Sequence, residues 1–120
     1  MKLLKFKLKD AYKFGWKGLK GLAYNSKEDF ERASATIFEV TGRHGKIKSL
    51  ISDRIYLVLE GRGEFIINGK KVPVEKNDVI IVPKNTPYDY RTVKGKLRLF
   101  LVHTPAFDNK KEVKLEWKLN

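Results

Sequence analysis

Short apolar segments separated by turn residues run along most of this chain, and this pattern predicts strands rather than helices. Strand-forming residues are dense in the segments 34–41, 55–59, 64–67, 79–82 and 97–102. Segment 79–82 is β-branched throughout and ends at Pro83, which cannot donate a hydrogen bond to a neighbouring strand. We therefore expect a protein built mainly from strands.

Glycine and asparagine mark the turns between these segments. Asn68-Gly69 predicts a type I′ hairpin turn, because both residues tolerate the positive φ values that this turn requires. A second turn is expected at residues 94–96, before the strand at 97–102. Glycines at positions 15, 18 and 21 each disfavour a helix by about 1 kcal/mol relative to alanine, so that region is predicted as loop or short irregular strands. Ser26 followed by Asp29 predicts one helical turn.

Both ends of the chain alternate between apolar and charged residues. Residues 5–9 read Lys-Phe-Lys-Leu-Lys, and near the C-terminus the apolar positions are Val113, Leu115, Trp117 and Leu119. We expect outer strands with one solvated face at both ends, either at a sheet edge or covering another subunit. Short strands at such spacing favour an all-β sandwich or barrel.

Size and composition limit the classes of protein that fit. A chain of 120 residues with 42% hydrophobic content suits a single domain over residues 1–120. The absence of cysteine excludes disulfides and thiolate metal sites. Lysines interrupt the apolar run that a signal peptide needs, and no segment holds the about 18 apolar residues of a membrane span. We expect a cytoplasmic protein that does not contact a membrane.

The charge balance is strongly basic, with 26 Lys+Arg against 14 Asp+Glu and a net charge of +12. Such a charge attracts polyanions, and lysines interleaved with aromatic residues near the N-terminus resemble a nucleic-acid surface. The same alternation is equally typical of a strand with a solvated face. Nucleic acid is therefore not an expected partner, and an interaction module using the basic N-terminal strand and the Trp117 edge is kept as a third hypothesis.

Two spaced sets of residues resemble the two motifs of the cupin superfamily, and the resemblance covers residues 34–108. The positions of the first motif hold Gly42, Lys48, Leu50, Arg54 and Gly61. The positions of the second motif hold Asn77, Pro83, Asn85, Tyr88 and Thr92. Both glycines of the first motif and the proline of the second are retained. Asparagine replaces glycine twice, which the fold tolerates because asparagine adopts left-handed conformations more readily than most residues.

The resemblance implies an all-β, cupin-type jelly-roll β-barrel with a core at 34–108 and outer strands on both sides. It also implies that the metal-ligand positions line the mouth of the barrel cavity. In this chain those positions are Lys48, Leu50, Arg54 and Tyr88. Cations do not serve as ligands of a divalent ion, and leucine has no donor atom. We therefore expect no metal site and no cofactor.

Strand alternation extends this set, because Tyr56 shares the face of Arg54 and Tyr90 shares the face of Tyr88. The expected ligand-binding residues are Lys48, Arg54, Tyr56, Tyr88, Tyr90 and His103. Two cations in a cavity predict a small anionic ligand, such as a sugar acid, sugar phosphate or carboxylate. The alternative is an internal ion pair, in which Lys48 and Arg54 are neutralised by Glu39, Asp53 or Asp89.

Two functions follow from these residues, in addition to the interaction module described above. The leading hypothesis is a metal-independent cupin domain that binds a small molecule in its barrel. The second is a sugar isomerase or epimerase in which Tyr88 or Tyr90 acts as acid and His103 as base. His44, in a glycine-flanked loop, is predicted to be a mobile loop residue. Cupins commonly dimerise through outer strands, so the resemblance also implies a homodimer.

Overall fold

The computed structural model describes residues 3–115. Within this range the regular structure consists of nine strands and two short 3-10 turns, Leu8–Asp10 and Asn109–Lys111. The strands are β1 (Tyr12–Trp16), β2 (Leu19–Ala23), β3 (Ser34–Val40), β4 (Ile47–Ser49), β5 (Asp53–Ile67), β6 (Lys70–Glu75), β7 (Val79–Val82), β8 (Tyr88–Thr104) and β9 (Glu112–Lys114). The predicted all-β class is confirmed.

The strands form one antiparallel sheet that curls into a half-barrel. Its order is β1-β2-β3-β8-β4-β9, and β5 pairs with β6, β7 and β8. The 15 residues of β5 and the 17 of β8 pair along most of their length, with register shifts between Val58 and Gly63. Gly61 lies in this irregular stretch at φ 85°, where a Cβ would come within 2.2 Å of the Lys96 carbonyl oxygen. Such bulges bend paired strands and help the sheet to curl.

Most predicted local features are confirmed, and two strands are longer than expected. Asn68 and Gly69 have φ values of 51° and 83°, as the hairpin turn requires. The glycine-rich N-terminal region forms the β1–β2 hairpin rather than a helix. The predicted strands 55–59 and 64–67 are parts of β5, and the predicted turn at 94–96 does not interrupt β8. Gly95 adopts φ 65° within β8, so the chain is irregular there while it stays paired at both sides.

The two chain ends differ from each other. Residues 5–9 do not form the expected outer strand, because residues 3–7 pair with no strand and residues 8–10 form a 3-10 turn. At the other end β9 pairs with β4 at the sheet edge, as an outer strand should. Trp117 and Leu119 lie outside the described residues.

The inner face of the sheet changes from apolar to polar along the long strands. Val58, Leu97 and Leu99 fill the apolar part of the core. Arg54, near the beginning of β5, pairs with His103 near the end of β8, whereas Tyr88 pairs with Ile67 at the opposite end of the same ladder. The curl of the sheet brings these two ends together across the half-barrel. No helix within residues 3–115 has the length and apolar character needed to cross a membrane.

A candidate functional site in the barrel interior

Six polar residues from three strands meet inside the half-barrel and are named here the buried polar cluster. They are Arg54, Tyr56, Tyr88, Tyr90, His103 and Glu112. The Arg54 side chain is 3% exposed and the Glu112 side chain 8%. Arg54 and Tyr88 were expected at a cavity mouth but lie in the interior. A surface groove of about 510 Å³, lined by residues of β5, β6 and β8, contains none of the six cluster residues.

Arg54 lies at the centre of the cluster. Its Nη1 donates a hydrogen bond to the Tyr88 hydroxyl, and its Nη2 forms an ion pair with Glu112 Oε1. The Tyr56 and Tyr88 hydroxyl oxygens are 2.6 Å apart and hydrogen-bonded to each other. The guanidinium also lies 5.5 Å from the centre of the Tyr88 ring, within reach of a cation–π interaction. One cation is thus held by a carboxylate and a pair of phenols.

The local electrostatics give the three tyrosine hydroxyls different pKa values. Burial raises the pKa of all three hydroxyls, and for Tyr56 and Tyr90 the neighbouring Tyr88 raises it further. At Tyr88 the Arg54 charge and hydrogen bonds from Tyr56 and Arg54 oppose the effect of burial, so the rise in pKa is smaller. Tyr88 is therefore the best proton donor of the three. Burial would lower the pKa of Arg54, but Tyr88, Tyr56 and Glu112 outweigh burial and raise it, so the guanidinium stays charged.

Several buried polar atoms of the cluster lack a hydrogen-bond partner. Among the described residues, the atoms with this property are Arg54 Nε, Tyr90 OH, His103 Nδ1 and Glu112 Oε2. All four belong to the cluster. Buried polar groups are normally satisfied, and leaving one without a partner costs about 1–3 kcal/mol.

His44, predicted to be a mobile loop residue, lies against the cluster instead. It is buried rather than mobile, and its ring stacks on Tyr90 at 4.7 Å and on Tyr88 at 6.0 Å between centroids. Trp16 contacts the other side, with its Nε1 donating to the His44 carbonyl oxygen at 3.2 Å. Asp89 fixes the loop by accepting from the Gly45 backbone N–H at 2.8 Å. A glycine-flanked loop is therefore pinned against the cluster.

The tautomer of His44 follows from its local hydrogen bond. Nδ1 lies 2.8 Å from the Gly45 carbonyl oxygen. A carbonyl oxygen only accepts hydrogen bonds, so Nδ1 carries the proton and Nε2 carries the lone pair in the neutral ring. His103, in contrast, is buried beside Arg54, and burial, Arg54 and His44 lower its pKa well below the ordinary value of 6.5. His103 is therefore neutral and a weak base.

Lys48 and Leu50 do not join the cluster, in contrast to the expectation from motif spacing. Ile47 pairs with Tyr88, and Ser49 pairs with Glu112, so these two residues share the inner face. Alternation along β4 then directs Lys48 to the other face, and Leu50 is 42% exposed. The spacing misleads because residues 41–46 form a loop with Gly45 at φ 107° instead of a continuous strand.

The acidic partner of Arg54 is also different from the three that the sequence suggested. Glu39 pairs with Lys96 and Arg98, Asp53 accepts from the Lys84 backbone, and Asp89 pairs with Arg43. Glu112 takes the position instead. Its inward orientation agrees with the alternation near the C-terminus, but only the β4–β9 pairing shows that this strand covers the end of the barrel where Arg54 lies.

The residues present do not fit a divalent metal. Within residues 3–115 no three His, Cys, Asp or Glu side chains are grouped as a metal site. The ligand positions of the motif hold two cations, an apolar side chain and a tyrosine, and the inward arginine already pairs with the nearby carboxylate. The donor set suits hydrogen bonding to an organic molecule.

Comparisons with known proteins agree with this architecture. A family model, the Cupin domain, matches residues 52–103. An uncharacterized protein of Aquifex aeolicus is 30% identical over 64 residues, which is 53% of either chain. An uncharacterized protein of Methanocaldococcus jannaschii is 37% identical over 46 residues, or 38% of this chain and 37% of that protein. The match thus spans about half or less of the length of these curated relatives.

The solved structure of Pac13, a nucleoside dehydratase, aligns with a TM-score of 0.85 and 25% identity over 97% of this chain and 93% of that one. Streptomyces PAC13 variants with uridine align with a TM-score of 0.86 and 24% identity over 97–98% of this chain and 93% of theirs. In these variants a histidine is replaced by glutamine or a tyrosine by phenylalanine. With its curled antiparallel sheet, this chain has the fold of the cupin superfamily, and the Cupin domain model matches it over residues 52–103.

Proposed function

We propose that this chain is a metal-independent cupin, with a single domain over residues 1–120, that binds a small hydroxylated molecule at the buried polar cluster. The observation that carries the proposal is the group of four buried polar atoms without partners. A folded interior rarely leaves one such atom unsatisfied, and here they converge on one place. A ligand bearing hydroxyl groups supplies both donors and acceptors to complete them.

The similar proteins support the choice of ligand class. Pac13 is a nucleoside dehydratase, and its variants with a changed histidine or tyrosine were solved with uridine. In this chain His44 stacks directly on Tyr90, beside the Tyr56 and Tyr88 hydroxyls. Nucleosides and sugars, which are neutral and rich in hydroxyl groups, are therefore the molecules we propose.

The proposal is tested by isothermal titration of uridine, other nucleosides and neutral sugars into protein treated with a chelator. We expect at least one of these compounds to bind, and Tyr88→Phe to weaken that binding about tenfold through loss of one hydrogen bond in the site. The matched control is Tyr24→Phe, because Tyr24 packs on Phe100 outside the cluster. Binding of none of the compounds, binding that returns only with added metal, or equal weakening in the control would contradict the proposal.

Acid–base catalysis is a second candidate, favoured by the fixed tautomer of His44. In an elimination of water, His44 Nε2 would take a proton from carbon and the electron pair of that C–H bond would form the double bond. The C–O bond would break, and Tyr88, the most acidic of the three phenols, would protonate the departing hydroxide. An isomerisation would begin with the same proton abstraction. His44 thus replaces His103 as the proposed base.

Solvent exchange tests this second candidate without requiring the complete reaction. A bound nucleoside or sugar is incubated with the protein in D₂O, and exchange of a carbon-bound hydrogen is followed by NMR. We expect exchange with the wild type and its loss in His44→Gln, while His103→Gln keeps most of it. If the wild type causes no exchange in any compound that it binds, the domain acts by binding alone.

A homodimer and a cytoplasmic location belong to the same proposal. The support for a dimer is an exposed apolar face in which Ile55 of β5 lies opposite Ile81 of β7, with Val79 nearby. The N-terminal segment was expected to form an outer strand suited to dimerisation. We propose the surface around Ile55 and Ile81 as the dimer interface instead. Light scattering after size exclusion should give twice the chain mass for the wild type and the chain mass for Ile81→Lys. A monomeric wild type would contradict the dimer.

A further inference from the structure

We infer that Glu112 determines which ligands the barrel accepts: by neutralising Arg54 it makes the site selective for uncharged hydroxylated molecules and excludes anions. This inference rests on the proposed function and names its substrate class more narrowly. The cationic motif positions predict an anionic ligand, and this inference replaces that prediction with an uncharged one. Glu112 is thus a specificity-determining residue on a strand outside the motif region.

The position of Glu112 is fixed by its strand. β9 has three residues and pairs with β4, where Ser49 lies opposite Glu112. Ser49 is buried, so the Glu112 side chain also points inward, and there it reaches Arg54 Nη2. Hydrogen bonds from Leu50 N–H to the Lys111 carbonyl and from Leu115 N–H to the Lys46 carbonyl hold the strand on both sides of Glu112. The carboxylate is therefore built into the wall of the site.

The charges of the cluster cancel. Arg54 and Glu112 form an ion pair, while the raised pKa values of the three phenols and the lowered pKa of His103 leave those four side chains neutral. An isolated guanidinium in such an interior would attract a carboxylate or phosphate strongly. With Glu112 in place, an incoming anion meets a carboxylate beside the arginine, and like charges repel in a site of low dielectric.

The buried atoms without hydrogen-bond partners also favour an uncharged ligand over an anion. Arg54 Nε is a donor, Glu112 Oε2 is an acceptor, and the Tyr90 hydroxyl can be either. A ligand hydroxyl both donates and accepts, so it can satisfy each of these atoms. A carboxylate only accepts and would leave Glu112 Oε2 without a donor. The free hydrogen-bonding capacity thus fits a polyol, sugar or nucleoside ribose.

The test measures anion binding directly, with acetate as the probe. We expect Glu112→Gln, which keeps the shape and removes the charge, to bind acetate at least about tenfold more tightly than the wild type. The matched control is Glu64→Gln, which removes the same charge from the exposed pair of Glu64 with Arg91. That control should bind acetate as weakly as the wild type. Equal acetate affinities in all three folded proteins would overturn the inference.

A second variant keeps the test decisive if the amide destabilises the fold. Glu112→Ala leaves room for an added carboxylate, so acetate should raise its Tm by at least about 3 °C while leaving the Tm of Glu64→Ala unchanged. If Glu112→Ala does not fold at any acetate concentration, or acetate has no effect, Glu112 has only a structural role and the inference is wrong.

The outcomes distinguish a failure of this inference from a failure of the proposed function. If nucleosides and sugars fail to bind while Glu112→Gln gains anion binding, the charge role of Glu112 stands and the ligand class of the wild type is wrong. If uridine binds the wild type and Glu112→Gln gains nothing, the barrel is a binding site whose selectivity does not come from Glu112.

Discussion

Two arginine–glutamate pairs on the same sheet show how environment changes the role of one interaction. Arg91 and Glu64 pair at 2.9 Å on the outside, where the arginine is 54% exposed and the glutamate 19%. Arg54 and Glu112 pair inside the half-barrel, where the exposed fractions are 3% and 8%. The outer pair replaces contacts that water could make. The inner pair has no such substitute, so each of its members depends on the other.

The two pairs also differ in what surrounds them. Two hydrogen bonds from Arg91, from Nε at 3.3 Å and Nη2 at 2.9 Å, reach the same Glu64 oxygen. The inner arginine divides its donors between a carboxylate and a phenol and keeps Nε without a partner. An arrangement made only for stability would satisfy that atom as well. The difference supports the proposal that the inner pair belongs to a binding site, whereas the outer pair belongs to the surface.

The largest expected difference between the pairs is in stability. Arg54→Gln should lower the free energy of unfolding by about 3–5 kcal/mol, because Glu112 is left as an uncompensated buried charge. Arg91→Gln should lower it by less than about 1 kcal/mol, because water solvates the remaining carboxylate. Urea denaturation of both variants at pH 7 measures the two values. Equal losses of stability in the two variants would contradict the claim that burial makes the inner pair more important than the outer pair.

The tyrosine attached to the inner pair should show an intermediate effect. Tyr88→Phe removes the hydroxyl that accepts from Arg54 and bonds to Tyr56, and should cost about 1–3 kcal/mol. Tyr24→Phe, outside the cluster, should stay within about 0.5 kcal/mol of the wild type. The same urea experiment applies. A Tyr88→Phe variant as stable as its control would mean that the phenol adds nothing to the inner pair.

Acid should weaken the inner region through His103. Its pKa in the folded protein is lowered well below 6.5, so the unfolded chain binds more protons as the pH falls below 6.5. This contribution to stability is complete above that pH and is lost at up to about 1.4 kcal/mol per pH unit below it. Unfolding free energies at pH 7, 6 and 5 should fall less steeply in His103→Gln. Parallel curves for the two proteins would show that His103 is not held neutral by folding.

Salt should give the smallest effect on stability. Here the exposed pair should respond more strongly than the buried pair. A double-mutant cycle on Arg91 and Glu64 should give a coupling of about 0.2–1 kcal/mol that falls in 0.5 M NaCl, because exposed charges are screened. The coupling of Arg54 with Glu112 should change little over the same range. A salt-sensitive inner pair would mean that water and ions reach the cluster freely.

Much of the fold could be predicted from local signals. The β-branched segments and the Asn68-Gly69 turn indicate an all-β sandwich or barrel, because each reflects a backbone preference of the residues themselves. The choice of a barrel comes from the glycine and proline spacing that resembles the cupin motifs. The alternation that placed Tyr56 with Arg54 and Tyr90 with Tyr88 on common faces agrees with their burial. The N-terminal alternation failed because period-two patterning forms a strand only where a neighbour is available to pair.

The composition of the site depends on long-range geometry that no local pattern contains. Lys48 was expected inside because spacing was counted through a loop whose irregular backbone changes the facing of every later residue in β4. His44 looked mobile because its anchor, Asp89, is distant in sequence. Glu112 joins Arg54 only because the sheet edge folds across the barrel end. These are consequences of strand order and curl.

Tyr90→Phe tests the central claim, that the buried polar cluster is a ligand site, most directly. The Tyr90 hydroxyl is buried without a partner, while its ring stacks at 4.7 Å on both Phe65 and His44, so phenylalanine keeps the packing. Urea denaturation and uridine titration of the same variant separate stability from binding. The account predicts that the free protein becomes as stable as the wild type or more stable by about 1 kcal/mol, while binding weakens. A destabilised variant with unchanged binding would contradict it.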